Sequence, residues 1–332
     1  MLKKPRILVV GSFMMDLIVS GPRVPNMGET VIGTAFRTAP GGKGSNQAVQ
    51  CARLGADVTM VGCVGDDAFG RELLETAGRS GVDVSRVKIS RENATGVANI
   101  QLQAMGAVTE NRIFVVPGAN YDLTPADLAW LPQAVKDYDL VMLQLEIAME
   151  TNVFVAQCAH DAGVPVMLNP APAAQLPAEL LRCVTYLSPN EHEASLLTGL
   201  PLRADENGVD EKDLAAVTAA LRAQGVDKVM VTLGGNGSAI CGGEGVKRTA
   251  CVKMPEVKDP TAAGDSFVAA FCTGVTAGLA EHQALTFASH AAAITVSRMG
   301  AMPSLPVLNE VRQLLRERRC ADLDADALGA LG

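Results

Sequence analysis

Residues 139–168 read DLVMLQLEIAMETNVFVAQCAHDAGVPVML. Asp139–Leu145 is an apolar run of strand length. Thr151–Ala162 has helical spacing and stops at Gly163, a residue suited to a helix C-terminus. Val164–Leu168 is a second apolar run. Strand, helix and strand in that order predict two parallel strands joined by a crossover helix. The runs lack polar alternation, which is the pattern of strands covered by helices on both faces.

The same unit recurs on either side. Arg6–Val10 and Val58–Val64 read as strands, Ser45–Leu54 as a helix closed by Gly55, and Ala68–Arg79 as a helix followed by Gly81. Val184–Leu187, Glu191–Leu197, Leu214–Ala223 and Lys228–Leu233 continue the alternation. Phe267–Ala280 and Ala284–Ser297 read as two buried helices. The predicted fold class is α/β, with a mostly parallel central sheet and helices on both faces.

Three stretches break the rhythm: Leu17–Val19 with Thr30–Thr38, Gly96–Gln103, and Arg112–Val116. They are strand-like with no helix between them, and TGVANIQLQ (95–103) alternates with period two. They predict a small β-sheet acting as a lid over the carboxyl ends of the main strands, where open α/β sheets bind ligands. An antiparallel extension of the main sheet is the alternative. The expected organisation is one α/β domain over 1–316, with lid strands at 17–38 and 96–116. An acidic, Ala/Leu-rich tail over 317–332 forms at most a loose helix.

The 332 residues carry 28 Lys and Arg against 36 Asp and Glu, a net charge of −8. No basic cluster offsets this balance, which argues against a nucleic-acid or anionic-membrane partner. Apolar residues at 48% and charged residues at 19% exclude disorder over most of the chain. No uninterrupted apolar run reaches the ~18 residues of a membrane span. The opening MLKKPRILVVGSFMMD resembles a signal peptide, but Asp16 ends the apolar run and no cleavage site follows. A cytoplasmic protein is expected. The eight cysteines include no C-x-x-C pair, so they read as buried thiols rather than disulfides or zinc ligands. The four histidines, at 160, 192, 282 and 290, have no metal-ligand spacing.

The chemistry-bearing segment nearest the C-terminus is DPTAAGDSFVAA, residues 259–270. Ala262, Ala263 and Gly264 have little side chain, so their N–H groups can converge on an anion at the start of a helix. Asp265 beside them could take a proton from a hydroxyl attacking a phosphoryl group held there; it could equally be a helix cap. PGGKGSNQA (40–48) is a glycine-rich turn before a helix. It has the spacing of neither a P-loop nor a dinucleotide fingerprint. Asp16 follows the first strand, where it could take two neighbouring sugar hydroxyls or simply be a surface residue ending the strand. Asn190 and Glu193 in NEHE could share a metal-bound water and a phosphate, or simply cap a helix.

Jointly these segments resemble the PfkB carbohydrate kinase family, and within it the ribokinase branch. Gly41, Gly42, Asn46, Ala48, Gly55 and Gly65 match one family pattern; Asp259, Ala262, Ala263, Gly264 and Asp265 match the second. GGKGSNQA, VMLQLE, LNPAP, SPNEHE and VTLGGNG are similar to segments of the ribokinase branch, and the resemblance spans roughly residues 6–316. It implies a ribokinase-like fold and transfer of phosphate from ATP to the 5-hydroxyl of a pentose. Asp265 would be the base, with Ala262, Ala263 and Gly264 as the anion hole. Met14, Met15, Asp16, Gly42, Lys43, Gly44, Ser45, Asn46 and Glu146 would line the sugar. Asn190, Glu193, Thr232, Gly234, Gly235, Asn236, Gly237 and Gly264 would serve the nucleotide and Mg2+. A potassium ion would sit near Asp259, Thr261, Thr295, Arg298, Gly300 and Ser304. A homodimer through the lid is implied as well.

Three departures stand out. Ala262 stands where a glycine is common in the resembled family and Pro260 where a threonine is common; both fall within the wider family pattern. Met14 stands where some members place an asparagine within reach of the ribose 2-hydroxyl. A thioether cannot donate a hydrogen bond, so 2-deoxyribose is an alternative substrate. Another pentose, a nucleoside, or a non-catalytic sugar-binding role on the same fold are further alternatives; the intact Asp265 and anion turn argue against the last.

Overall fold

Alternate residues of Arg6–Val10 (β1) point into opposite cores: Ile7 and Val9 into one, Leu8 and Val10 into the other. All four are fully buried. This two-sided burial is why the strand reads as an unbroken apolar run. The computed structural model describes residues 2–105, 108–205, 208–243 and 245–332.

After β1 come β2 (Met14–Gly21), β3 (Ala35–Gly41), α1 (Lys43–Arg53), β4 (Asp57–Val61) and β5 (Cys63–Gly65). They are followed by α2 (Ala68–Arg79), β6 (Val82–Asp83), β7 (Lys88–Ser90), β8 (Val97–Met105) and β9 (Val108–Val116). Next are α3 (Leu131–Ala134), β10 (Leu140–Gln144), α4 (Met149–Asp161), β11 (Val166–Asn169), α5 (Ala178–Leu181), β12 (Tyr186–Leu187) and α6 (Glu191–Thr198). Then come β13 (Ala204–Asp205), β14 (Gly208–Val209), α7 (Glu211–Ala223), β15 (Lys228–Thr232), β16 (Ser238–Gly242) and β17 (Gly245–Thr249). The chain finishes with α8 (Ala263–Ala277), α9 (Glu281–Val296) and α10 (Leu308–Glu317).

The main sheet has the order β17-β16-β15-β12-β11-β10-β1-β4-β6. It is parallel from β6 to β15 and antiparallel at the β16–β17 edge. One core packs α1, α8 and α9 against it, with Phe271 and Phe287 fully buried. The other packs α4 and α7, with Val155 and Val217 fully buried. Burying each such side chain stabilises the fold by roughly 1.5–3 kcal/mol.

A separate four-stranded sheet, in the order β3-β2-β8-β9, stands beside the main one. It contains the three stretches that broke the rhythm, so the edge-extension alternative does not hold. Two boundaries differ from expectation. β2 starts at Met14 and β3 runs on to Gly41, because the register pairs Met14 with Gly41 and Asp16 with Ala39. Met14–Asp16 therefore belong to this small sheet and not to a turn after β1. Residues 30–34 precede the strand. The expected strand Val58–Val64 is broken at Gly62, whose backbone sits against Gly11 O with no room for a Cβ; beyond it β5 pairs with β7.

The C-terminal stretch is packed rather than loose. Ala327–Leu331 forms a 3-10 turn, and Leu323, Leu328 and Leu331 join the core under α10.

Candidate active site

The carboxyl ends of β1, β10 and β11 meet the amino ends of α1 and α8. Three backbone features bring α1 there. Gly42 has φ +102°, and a Cβ on it would lie 2.7 Å from Met14 N. A Cβ on Gly44 would lie 2.4 Å from Ser12 N. Ser45 N–H donates to Ser12 O at 2.9 Å, and Ser45 Oγ donates to Gly41 O at 2.6 Å. The glycine-rich turn is thus a backbone-on-backbone contact that no side chain could enter.

Asp265 lies in the first turn of α8 and is 7% exposed. Asn46 Nδ2 donates to its Oδ2 at 2.9 Å, and Gln47 Nε2 donates to its Oδ1 at 3.1 Å. Burial pushes the Asp265 carboxyl up, against the pull of the Lys43 ammonium and the two amide donors. Ala263 N–H donates to Pro260 O and Ser266 N–H to Ala262 O. Between them, the N–H groups of Gly264 and Asp265 fall in the first helical turn, where no intrahelical carbonyl is available. With the helix dipole they form an anion-binding end. Ala262, the residue before the helix, holds φ +61°.

The residues expected to line a sugar are coupled to Asp265 and to one another by hydrogen bonds and charge. Glu146 accepts from Ser12 Oγ and, at 2.9 Å, from Lys43 N–H. Burial raises its carboxyl, opposed by Lys43 and those donors. Lys43 is half-buried; burial works against its charge, but Asp265, Glu146 and Glu193 outweigh it and keep the ammonium. Asp16 projects from β2 and is pushed up to about 7, first by burial, then by Glu146 and Asp265, with Arg37 opposing. Met14 is 2% exposed and Met15 fully buried. Asn46 Oδ1 is buried with no partner, an acceptor open to a hydroxyl.

Of the residues expected at a nucleotide, Asn190, Glu193, Thr232 and Gly264 line one cavity of about 230 Å3 together with Lys43 and Asp265. Asn190 caps α6: its Oδ1 accepts from Glu193 N–H at 2.8 Å, and Glu193 Oε2 accepts from Asn190 N–H at 2.9 Å. The capping reading of this pair is therefore realised, and it fixes both side chains at the cavity wall. Thr232 bridges to Asn190. Past β15, Gly234–Asn236 is a 3-10 turn with Gly235 exposed. Asn236 Nδ2 donates to Asp205 O at 3.0 Å. Gly237 has φ +86°, and its ideal Cβ would fall 2.0 Å from Thr249 O.

The expected monovalent-cation residues form a more selective picture. Asp259 Oδ1 accepts from Thr261 N–H and Oδ2 from Gly300 N–H, both at 2.9 Å. Burial opposes ionisation of Asp259, but these donors and Arg37 outweigh it and hold the carboxyl below its usual range. Thr295 Oγ1 donates within the core, toward Ser266 Oγ and Ala291 O, and Ser304 Oγ donates to Ala301 O. Both hydroxyl protons are taken up internally, while the hydroxyl oxygens keep lone pairs. The Arg298 side chain pairs with Glu310. Among the described residues no group of three or more His, Cys, Asp or Glu could hold a metal on its own.

The pattern of the pfkB family carbohydrate kinases matches residues 4–308. The chain belongs to the pfkB family. Within it, this pfkB chain is 40% identical over 310 residues to the ribokinase of Bacillus subtilis, covering 93% of this chain and 99% of that one. It is 41% identical over 314 residues to the ribokinase of Schizosaccharomyces pombe, covering 92% and 96%. The solved structure of Arabidopsis thaliana ribokinase complexed with ribose and ATP superimposes with a TM-score of 0.86 at 35% identity, over 94% of this chain and 99% of that one.

The pfkB chain also holds site residues that sequence reasoning did not single out. Ser12, Gln47, Gln144 and Asn169 all reach the Asp265–Glu146 region through side-chain hydrogen bonds. Gln144 and Asn169 close apolar strands with a polar residue. A buried amide at a strand's carboxyl end is the signal that could have found them.

Proposed function

We propose that this chain transfers the terminal phosphoryl group of ATP to the 5-hydroxyl of D-ribose, giving D-ribose 5-phosphate and ADP. The observation that carries the reading is the buried Asp265 carboxylate beside the free N–H groups that open α8. Ribokinases at 40% and 41% identity, one with 99% of its length covered, support ribose as the acceptor.

Asp16, Lys43, Asn46 and Glu146 hold the sugar, with Asn46 Oδ1 accepting one of its hydroxyls. Asp265 takes the proton from the 5-hydroxyl as that oxygen bonds to the γ-phosphorus and the bond to ADP breaks. Gly264 and Asp265 N–H, the α8 dipole and Lys43 receive the charge on the transferring group. Asn190, Glu193, Thr232 and the Gly234–Gly237 turn line the nucleotide, and Asn190 and Glu193 would serve a Mg2+ ion, which when bound would neutralise phosphate charge. Asp259, with backbone or side-chain oxygens near Thr261, Thr295, Arg298, Gly300 and Ser304, would hold a potassium ion beside the anion-hole segment. The small sheet acts as a lid that excludes water. Its exposed Phe36, Ile113, Phe114 and Val116 are covered by a second copy in a homodimer. Eight free thiols are in keeping with a reducing cytoplasm.

A second reading, 2-deoxyribose as the better substrate, is favoured by Met14, a buried thioether with no proton to donate. Coupled ADP release with Mg-ATP and K+ separates the two. Ribose ahead by about tenfold in kcat/KM, roughly 1.4 kcal/mol of discrimination, supports ribose; equal or faster turnover of 2-deoxyribose supports the second reading. No sugar-dependent release sinks both.

A further inference from the structure

Gln47 is fully buried on α1, next to Asn46, and the mechanism above gives it no task. Its amide is bound on both sides. Nε2 lies 3.1 Å from Asp265 Oδ1 and 3.3 Å from Asn169 Oδ1, and Oε1 accepts from Gln144 Nε2 at 2.7 Å. Turned over, the Gln47 carbonyl would face the Asp265 carboxylate and the Asn169 carbonyl, and its NH2 would face the NH2 of Gln144. Both ends would be repulsive, so the amide has one orientation.

The two neighbours are themselves fixed. Asn169 Nδ2 donates to Ser188 O at 2.9 Å, which turns its Oδ1 toward Gln47. Gln144 is fully buried at the end of β10, and its backbone carbonyl accepts from Asn152 Nδ2 at 2.9 Å. Gln144 Oε1 has no partner and presses on Gly11, whose ideal Cβ would lie 2.1 Å away. A buried polar atom left unpaired costs about 1–3 kcal/mol. A core built only for packing would place Leu or Met at these positions. The amides instead form a directional chain from the ends of β10 and β11 to one carboxylate oxygen.

That oxygen needs the restraint. The terminal torsion of an aspartate is broad, so a carboxylate held at one oxygen swivels. Asn46 holds Oδ2 but also offers its Oδ1 to a ligand. Gln47 holds Oδ1, and all its partners are protein groups.

We propose that Gln47 is a positioning residue for phosphoryl transfer, holding the Asp265 carboxylate in the orientation that receives the sugar proton, with its own amide locked by Gln144 and Asn169. The proposal rests on the reading of Asp265 as the base.

The test is a double-mutant cycle on the full chain with Gln47→Met, which keeps length and removes all three side-chain hydrogen bonds, in the wild-type and Asp265→Asn backgrounds. In the wild-type background kcat should fall about 10–100-fold, as misplacing a reacting group does, with KM for sugar and ATP within about threefold. In the Asp265→Asn background the same change should alter kcat by less than about twofold, because there is no base left to orient. An equal loss in both backgrounds, or a loss seen only in KM, overturns the proposal and leaves the Asp265 reading standing. Asp265→Asn alone within about threefold of wild type overturns both. If Gln47→Met does not fold, Gln144→Met decides: it leaves Gln47 in place but frees its amide. The expected result is a smaller kcat loss that again vanishes in the Asp265→Asn background; persistence there overturns the proposal.

Discussion

Asn46 Nδ2 sits 2.9 Å from Asp265 Oδ2, although the two residues are 219 positions apart. One hydrogen bond therefore joins the glycine-rich start of α1 to the anion-binding start of α8. In the proposed function, the residue that holds the sugar also touches the group that deprotonates it. Asp265→Asn keeps the shape and removes the base. It should lower kcat by about 10²–10⁴, the range for loss of a general base, while the sugar KM moves far less. Coupled ADP release measures both. A variant within about threefold of wild type in kcat, far below that range, removes Asp265 from the role.

Asp16 gives a pH signature. Its carboxyl is raised from 3.8 to about 7 by burial and by Glu146 and Asp265. Between those values the folded chain binds a proton that the unfolded chain does not. Stability from this group is greatest near pH 4, falls as pH rises, and is flat above about 7. Asp16→Asn removes the penalty, so it should stabilise the ligand-free protein more at pH 8 than at pH 5, by on the order of 1–3 kcal/mol. Denaturant midpoints at the two pH values measure this. A gain that is equal at both, or larger at pH 5, contradicts the assignment. The same variant should lose the thermal shift given by sugar, because the proposed function makes an ionised Asp16 the acceptor.

The main sheet was legible because its strands are buried on both sides, and Ala68–Arg79 ends where the glycine after it says it should. The ends of β2 and β3 were not, because they are set by pairing between Met14 and Gly41 across the small sheet. The segments around Asp265, Lys43 and Asn190 were legible as local patterns of small, basic and capping residues. Gln47, Gln144 and Asn169 were not, because each is an isolated amide in an apolar element. Their meaning arises only when α1, β10 and β11 bring them together.

Ala262 tests a departure seen in the sequence. It holds φ +61°, a left-handed conformation that penalises a Cβ. Ala262→Gly relieves about 1–2 kcal/mol of backbone strain and loses about 0.5–1 kcal/mol to the greater freedom of the unfolded chain. The net should be a gain of roughly 0.5–1 kcal/mol with kcat unchanged within about twofold, since the Gly264 and Asp265 N–H groups stay in place. Chemical denaturation and ADP release report the two quantities. A loss of stability would show that Ala262 has packing worth more than its strain.

Asn120 joins the small sheet to the main domain. It is fully buried; its Oδ1 accepts from Phe13 N–H at 2.9 Å, and its Nδ2 donates to Phe13 O and Pro117 O, both at 2.8 Å. Phe13 precedes β2 and Pro117 follows β9, so one side chain fastens the chain where it enters and where it leaves the sheet. Gly96, which precedes β8, packs against the same amide, its ideal Cβ 2.4 Å from Nδ2. Asn120→Ala leaves the Phe13 amide unpaired inside the protein, at a cost of about 1–3 kcal/mol for each stranded group. The anchor of the proposed lid then loosens. Closure over the sugar becomes less favourable, so the sugar KM should rise about 5–50-fold, matching roughly 1–2.3 kcal/mol of lost binding. Water should also enter the closed site more freely, so ATP hydrolysis without sugar should rise above wild type. Comparing ADP released with sugar phosphate formed measures that leak. One-to-one coupling with an unchanged sugar KM, beside a lowered denaturant midpoint, would make Asn120 a stability residue with no part in lid closure.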